Sequence, residues 1–281
     1  MCPFDDIPDD QDQDLTPAAR AALKARAATT RLVRELLLHD GPVLPPLAAT
    51  RILALGQAAV EPLISLMIDS RLRAPRGPAG GWAPVHAAKL LGQLDPEAAV
   101  EPLLDVLATT AQLTPLRQAV EKALAPLGAP LVSPILARLP TAVGGYRREL
   151  WFLLANAGVR EPRIFVQLLN ALAESPEDGA MYLAEYGDKA ALPELSRALD
   201  AHRLDPEGDT PGDHTVFELR EAIHELGGEL TPAQQAKYER ALWARRIEVS
   251  ARTRLQRQSA ARPDAPCSCG SGRPYKSCCL Q

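Results

Sequence analysis

Four of the chain's five cysteines lie in its last fifteen residues. Cys267 and Cys269 form a CxC pair, eight residues follow, and Cys278 and Cys279 close the set. Thiolate is a soft anionic ligand, and four thiolates in a tetrahedron suit zinc or a single iron. Gly270 and Gly272 lie directly after the CxC pair, where positive φ lets a turn aim backbone N–H groups at sulfur. A disulfide reading is disfavoured, because bridges between adjacent or next-but-one cysteines strain the torsions a disulfide needs and the acidic N-terminus is no export signal. A tail this short has no core, so metal binding would supply its folding free energy. Cys2 stands alone at the other end of the chain.

The run CSCGSGRPYKSCC resembles the SEC-C motif, whose usual form is CxCGSGxxYKxCC or the same with a final CH. Both cysteine pairs, the GSG turn, Tyr275 and Lys276 match. The resemblance implies that Cys267, Cys269, Cys278 and Cys279 are the metal ligands. Ser268 stands where proline is usual, and Pro274 and Ser277 stand where lysines are frequent; these departures thin the basic surface and leave the ligands intact. In the protein-translocation ATPase of bacteria the motif contacts a chaperone and ribosomes, so the resemblance implies docking rather than catalysis.

The elements that must carry this tail are read from composition and period. The 281 residues are 46% hydrophobic but only 4% aromatic. Such a core is built of Leu, Ala, Val and Ile, which favours packed helices over a sandwich or barrel. From about Leu47 the chain repeats itself, in the phrases LALGQAAVEPLISLM, AAKLLGQLDPEAAVEPLLDVL and KALAPLGAPLVSPILARL. Gly56, Gly92, Gly128, Gly158, Gly187 and Gly227 punctuate it, each followed by a proline: Pro62, Pro102, Pro134, Pro162, Pro193 and Pro232. A two-helix repeat needs that pattern, with Gly ending one helix in the left-handed region and Pro opening the next. Thr-Pro at Thr16, Thr114 and Thr231 marks helix starts, the last of them the one already counted at Pro232. The phrases resemble the HEAT-like repeats of the phycobilisome-lyase kind over about residues 47 to 243. That resemblance implies an all-α fold, an α-solenoid with a small C-terminal zinc knuckle, whose extended face binds a partner.

The expected organisation is a disordered acidic segment at 1–14, an α-solenoid at 15–244, a basic helix end and hinge at 245–264, and the metal motif at 265–281. The first segment carries six aspartates and no base. A loop rich in Pro and Gly is expected from Arg73 to Trp82, long enough to be mobile. A second, from Leu204 to His214, carries Asp205, Glu207, Asp209 and Asp213 but not the spacing of a calcium-binding EF-hand, and reads as a solvated acidic loop beside a surface histidine. Residues from Thr231 to about 260 read as one long helix. From Arg245 onward eight basic residues face two acidic ones, a local +6 that leaves −10 on the rest of a chain of net charge −4.

No run of eighteen apolar residues is present, so no membrane span is expected, and unexported thiols suggest the cytoplasm. Phosphate-loop, HExxH and GxSxG signatures are absent, and the five histidines assemble no triad. Trp151, Phe152 and Leu154 read as core. The expected function is therefore a non-catalytic adaptor with a protein partner, a chaperone, translocation component or ribosome-associated factor. Two alternatives remain. One is ribosome or nucleic-acid association through Arg252, Arg254, Arg257, Arg273 and Lys276; the other is a DNA glycosylase of HEAT-like fold, which the acidic body disfavours.

Overall fold

The computed structural model describes residues 16–74, 76–94, 96–111, 113–204, 214–260, 264, 266–267 and 269–278, with the side chains of 96, 247–252 and 254–260 left aside. The acidic segment, Cys2, the four carboxylates of the second loop and Cys279 lie outside the described residues. Contacts divide the chain into two units, Met1–Val159 and Arg160–Gln281. Thirteen α-helices and no β-strand occur among the described residues. Among the described residues no single helix is long and apolar enough to cross a membrane.

The first unit holds α1 (Pro17–Leu37), α2 (Pro46–Leu53), α3 (Val60–Ile68), α4 (Ala83–Leu94), α5 (Pro96–Thr109), α6 (Pro115–Leu124), α7 (Val132–Arg138) and α8 (Gly144–Ala155). Alternate helices pack as well as consecutive ones: α4 lies on α3 and α6, and α3 on α5. The core between them is aliphatic, with Leu63, Met67, Leu91, Leu103, Leu107, Leu124 and Ile135 fully buried. The second unit holds α9 (Pro162–Glu174), α10 (Pro176–Tyr186), α11 (Leu192–Ala201), α12 (His214–Glu225) and α13 (Pro232–Ala260), with α10 packed on α9 and α12.

Helix starts follow the predicted local chemistry. The Thr16 and Thr114 hydroxyls accept from Ala19 N at 3.2 Å and Arg117 N at 3.3 Å, satisfying donors that no helical carbonyl reaches. A short 3₁₀ turn precedes α3, α7 and α11, at Gly56–Ala59, Ala129–Leu131 and Lys189–Ala191, and Pro62, Pro134 and Pro193 then fall in the first turn of the helix. There a missing N–H costs nothing.

The second repeat phrase breaks the rule twice. Gly92 does not end a helix but lies inside α4, which runs on to Leu94, with α5 beginning at Pro96. Its lack of a side chain serves packing: a Cβ there would sit 3.0 Å from Ala123 Cβ and 3.1 Å from its Cα, on α6. Likewise Pro102 lies in the interior of α5, since the residues matching the 3₁₀ turns are wound into the helix. The other five punctuating glycines do take positive φ, between 55° and 79°. Phe152 also departs from expectation. Trp151 and Leu154 are buried, but Phe152 is 42% exposed, because 100° per residue carries it off the face that they share. The Arg73–Trp82 stretch is no open loop. A 3₁₀ turn at Pro78–Gly81 packs on α4, and Arg73 reaches back to Met67 O at 3.5 Å and Thr109 Oγ1 at 3.4 Å.

Candidate metal centre

The helix that leads to the cysteines is fastened at its start. Thr231 and Gln234 exchange hydrogen bonds as a capping box: Thr231 N donates to Gln234 Oε1 at 3.0 Å, and Gln234 N to Thr231 Oγ1 at 3.3 Å. The buried Gln234 amide then donates to Ser196 Oγ at 2.8 Å and Asp200 Oδ1 at 2.9 Å, across to α11. One turn on, Lys237 Nζ donates to the carbonyls of Leu199, Asp200 and His202, at 2.5, 2.9 and 2.8 Å. Those are carbonyls at the C-terminal end of α11, where a cation is favoured both as a donor and by the helix dipole. Composition gave no hint of either anchor, although the Thr-x-x-Gln spacing was there to be read.

Aromatic contacts extend the fastening. Phe217 of α12 meets Tyr238 of α13 edge to face at 5.6 Å, with Arg220 over Tyr238 and Arg245 over Phe217. Arg245, the first of the predicted basic series, therefore helps to hold α13 onto α12 while remaining exposed. Trp243 is 68% exposed.

Beyond α13 the chain turns back on itself. Pro266 and Pro274 form an isolated antiparallel bridge, and since proline has no N–H, Cys267 closes it by donating to Arg273 O at 2.7 Å. Gly270 N donates to Cys267 O at 3.2 Å. Gly270 and Gly272 hold φ of 79° and 69° with nothing near a would-be Cβ, so conformation rather than space calls for glycine at both. A 3₁₀ turn at Tyr275–Ser277 then returns the chain, with Cys278 N donating to Tyr275 O at 3.2 Å.

These turns gather Cys267, Cys269 and Cys278, their sulfurs all within 4.8 Å of one another. Cys267 is buried, Cys278 half-buried and Cys269 exposed. Cys269 Sγ lies 3.3 Å from Cys278 Sγ, and the Ser271 hydroxyl lies 3.1 Å from Cys278 Sγ. Hydrogen bonding by the Ser271 hydroxyl and backbone, followed by Cys278 and Cys267, lowers the Cys269 thiol from 9.0 to about 6. A zinc ion with Zn–S bonds of about 2.3 Å spaces its sulfurs about 3.8 Å apart. The three thiols therefore suit a metal ion in spacing and donor type, and small adjustments would complete the fit.

Of the four expected ligands the structure brings three together; Cys279, the fourth, lies outside the described residues. Lys276, one of the cations read as reaching phosphate, pairs with Asp264. The side chains of Arg252, Arg254 and Arg257 lie outside the described set. Ser271 was read only as part of the glycine turn; its hydroxyl contact with sulfur was not anticipated. No family model, curated protein or solved structure matches the chain.

Proposed function

We propose that the protein is a non-catalytic adaptor in which an α-solenoid of HEAT-like repeats binds one protein partner and a zinc-loaded SEC-C tail docks another. On this reading residues 15–244 form the solenoid, 245–264 the basic helix end and hinge, and 265–281 the knuckle, with Cys279 as fourth ligand beside Cys267, Cys269 and Cys278. The observation that carries the reading is the gathering of three sulfurs within 4.8 Å by a turn at the end of the long helix α13. Zinc is preferred over iron because it requires no redox control to stay bound. Reduced thiols and metal binding suit the cytoplasm.

The test has two arms. Elemental analysis of the full chain should find one zinc per chain, lost when Cys267 and Cys278 are replaced by serine. Affinity capture with the full chain and with a version ending at Pro266 then separates the docking elements: a partner lost with the tail belongs to the knuckle, and one kept by both belongs to the repeats. A chain that holds no metal under reducing conditions defeats the docking-knuckle reading.

Association with ribosomes or RNA is the second reading, favoured by the +6 carried from Arg245 onward. Such binding weakens linearly on a log–log salt plot. Indifference to RNA at low salt removes it.

A further inference from the structure

We propose that Cys269 and Cys278 form a reversible disulfide with hydrogen peroxide as oxidant, and that its formation releases the metal. The inference rests on the metal reading above and adds a modification to the same site.

Four observations carry it. The sulfurs of Cys269 and Cys278 lie 3.3 Å apart, so forming a bond of about 2.05 Å requires an approach of little more than an ångström. Cys269 is exposed while Cys267 is buried, which gives peroxide a preferred point of attack. The chain between the pair contains Gly270 and Gly272 at positive φ with no atom within 4 Å of a would-be Cβ, so the turn has room to contract. The pair is nine residues apart and escapes the strain that disfavours bridges within CxC or CC.

The chemistry balances with peroxide alone. The Cys269 thiolate attacks one peroxide oxygen, the O–O bond breaks, and hydroxide leaves, giving the sulfenic acid. The Cys278 thiolate then attacks that sulfur; the S–S bond forms, the S–O bond breaks, and a second hydroxide leaves. Two protons from solvent convert both hydroxides to water. Each sulfur is oxidised by one electron and each peroxide oxygen is reduced by one. A disulfide sulfur is a poor metal ligand, so the site drops from four thiolates to two, too few to close a structural zinc site.

The experiment uses the full chain, reduced and loaded with zinc, titrated with hydrogen peroxide. Released zinc is read with a chromophoric chelator and the linkage by mass spectrometry of a non-reduced tryptic digest. Trypsin cuts after Lys276 but not before Pro263 or Pro274, so a bridge tethers peptide 258–276 to peptide 277–281. The expected result is one zinc released per bridge formed, with fragmentation placing the bridge at Cys269 and Cys278, and full zinc uptake recovered after dithiothreitol. A Cys2→Ser variant should behave identically. Zinc released with the bridge on Cys267 or Cys279, or with sulfinic acid in place of a bridge, overturns the proposal, as does zinc retained once peroxide is in excess. A reduced chain that takes up no zinc yet forms the Cys269–Cys278 bridge overturns the metal reading and leaves the disulfide standing.

Discussion

Gly179 of α10 lies directly against the backbone of Leu172 in α9, so close that a Cβ on Gly179 would come within 2.2 Å of Leu172 Cα. Two helices can approach to that distance only where one has no side chain, and this contact sets how α9 and α10 pack. The neighbouring atoms are backbone and cannot swing aside, so Gly179→Ala must push the helices apart. The expected cost is at least about 3 kcal/mol, read as a fall in urea midpoint. An alanine variant as stable as the parent would show the helices free to separate.

Gly92 and Gly158 provide a paired control. Gly92→Ala meets Ala123, whereas Gly158→Ala meets nothing but is held at φ 65°. Both should lose about 1–2 kcal/mol, for different reasons. Adding Ala123→Gly should recover part of the first loss and none of the second. Equal response of the two in a double-mutant cycle would contradict the packing argument.

Arg117 is 3% exposed and tied to four groups: its guanidinium donates to Leu107 O at 3.1 Å, Thr110 O at 3.2 Å and Glu149 Oε2 at 3.2 Å, and its Nε lies 2.8 Å from Glu121 Oε1. Burial and then Glu121 raise the Glu149 carboxyl, against the opposing pull of Arg117. Arg117→Ala should cost about 3–5 kcal/mol by leaving carbonyls and a carboxylate without their donor. Thermal melting of the variant checks it, and a loss below about 1 kcal/mol would mean that water replaces the guanidinium.

His86 is buried on α4 with Nε2 3.1 Å from Gly41 O. Burial lowers its pKa below the usual 6.5, although the Gly41 carbonyl pulls the other way. The folded form therefore refuses a proton that the unfolded chain accepts from about pH 6.5 downward, so this residue's contribution is intact above that pH and is lost as pH falls below it. Melting temperature should drop between pH 7 and 5, less steeply in His86→Gln. Parallel curves for the two proteins would remove His86 from the account.

Replacing Gln234 with leucine strips Ser196 and Asp200 of their donor and the cap of its acceptor. A loss of about 1–3 kcal/mol is expected, with faster amide exchange in the first turns of α13. Unchanged exchange there would locate the fastening in the Phe217 and Tyr238 contact instead.

What the sequence made legible was local. Thr16, Thr114 and Thr231 cap helices through atoms three residues away, and the cysteines meet within a span of twelve residues, so spacing was enough. Gly92 and Pro102 were misplaced because an inserted stretch ahead of α5 moved the turn while leaving the repeated phrase recognisable. The long-range contacts of Arg117 and Gln234 could not be read. Their partners Glu149 and Ser196 lie 32 and 38 residues away, and only packing decides that they meet. Ser271 was visible as a turn residue, but its contact with Cys278 depends on where the second half of the turn returns.

Every hydrogen bond described for the cysteine turn closes between Pro266 and Cys278, and its one described ion pair reaches no farther than Asp264. The helices upstream supply none of those bonds. Among the described residues the turn is thus closed by bonds of its own, and residues 264–281 spliced behind an unrelated carrier are expected to rebuild it.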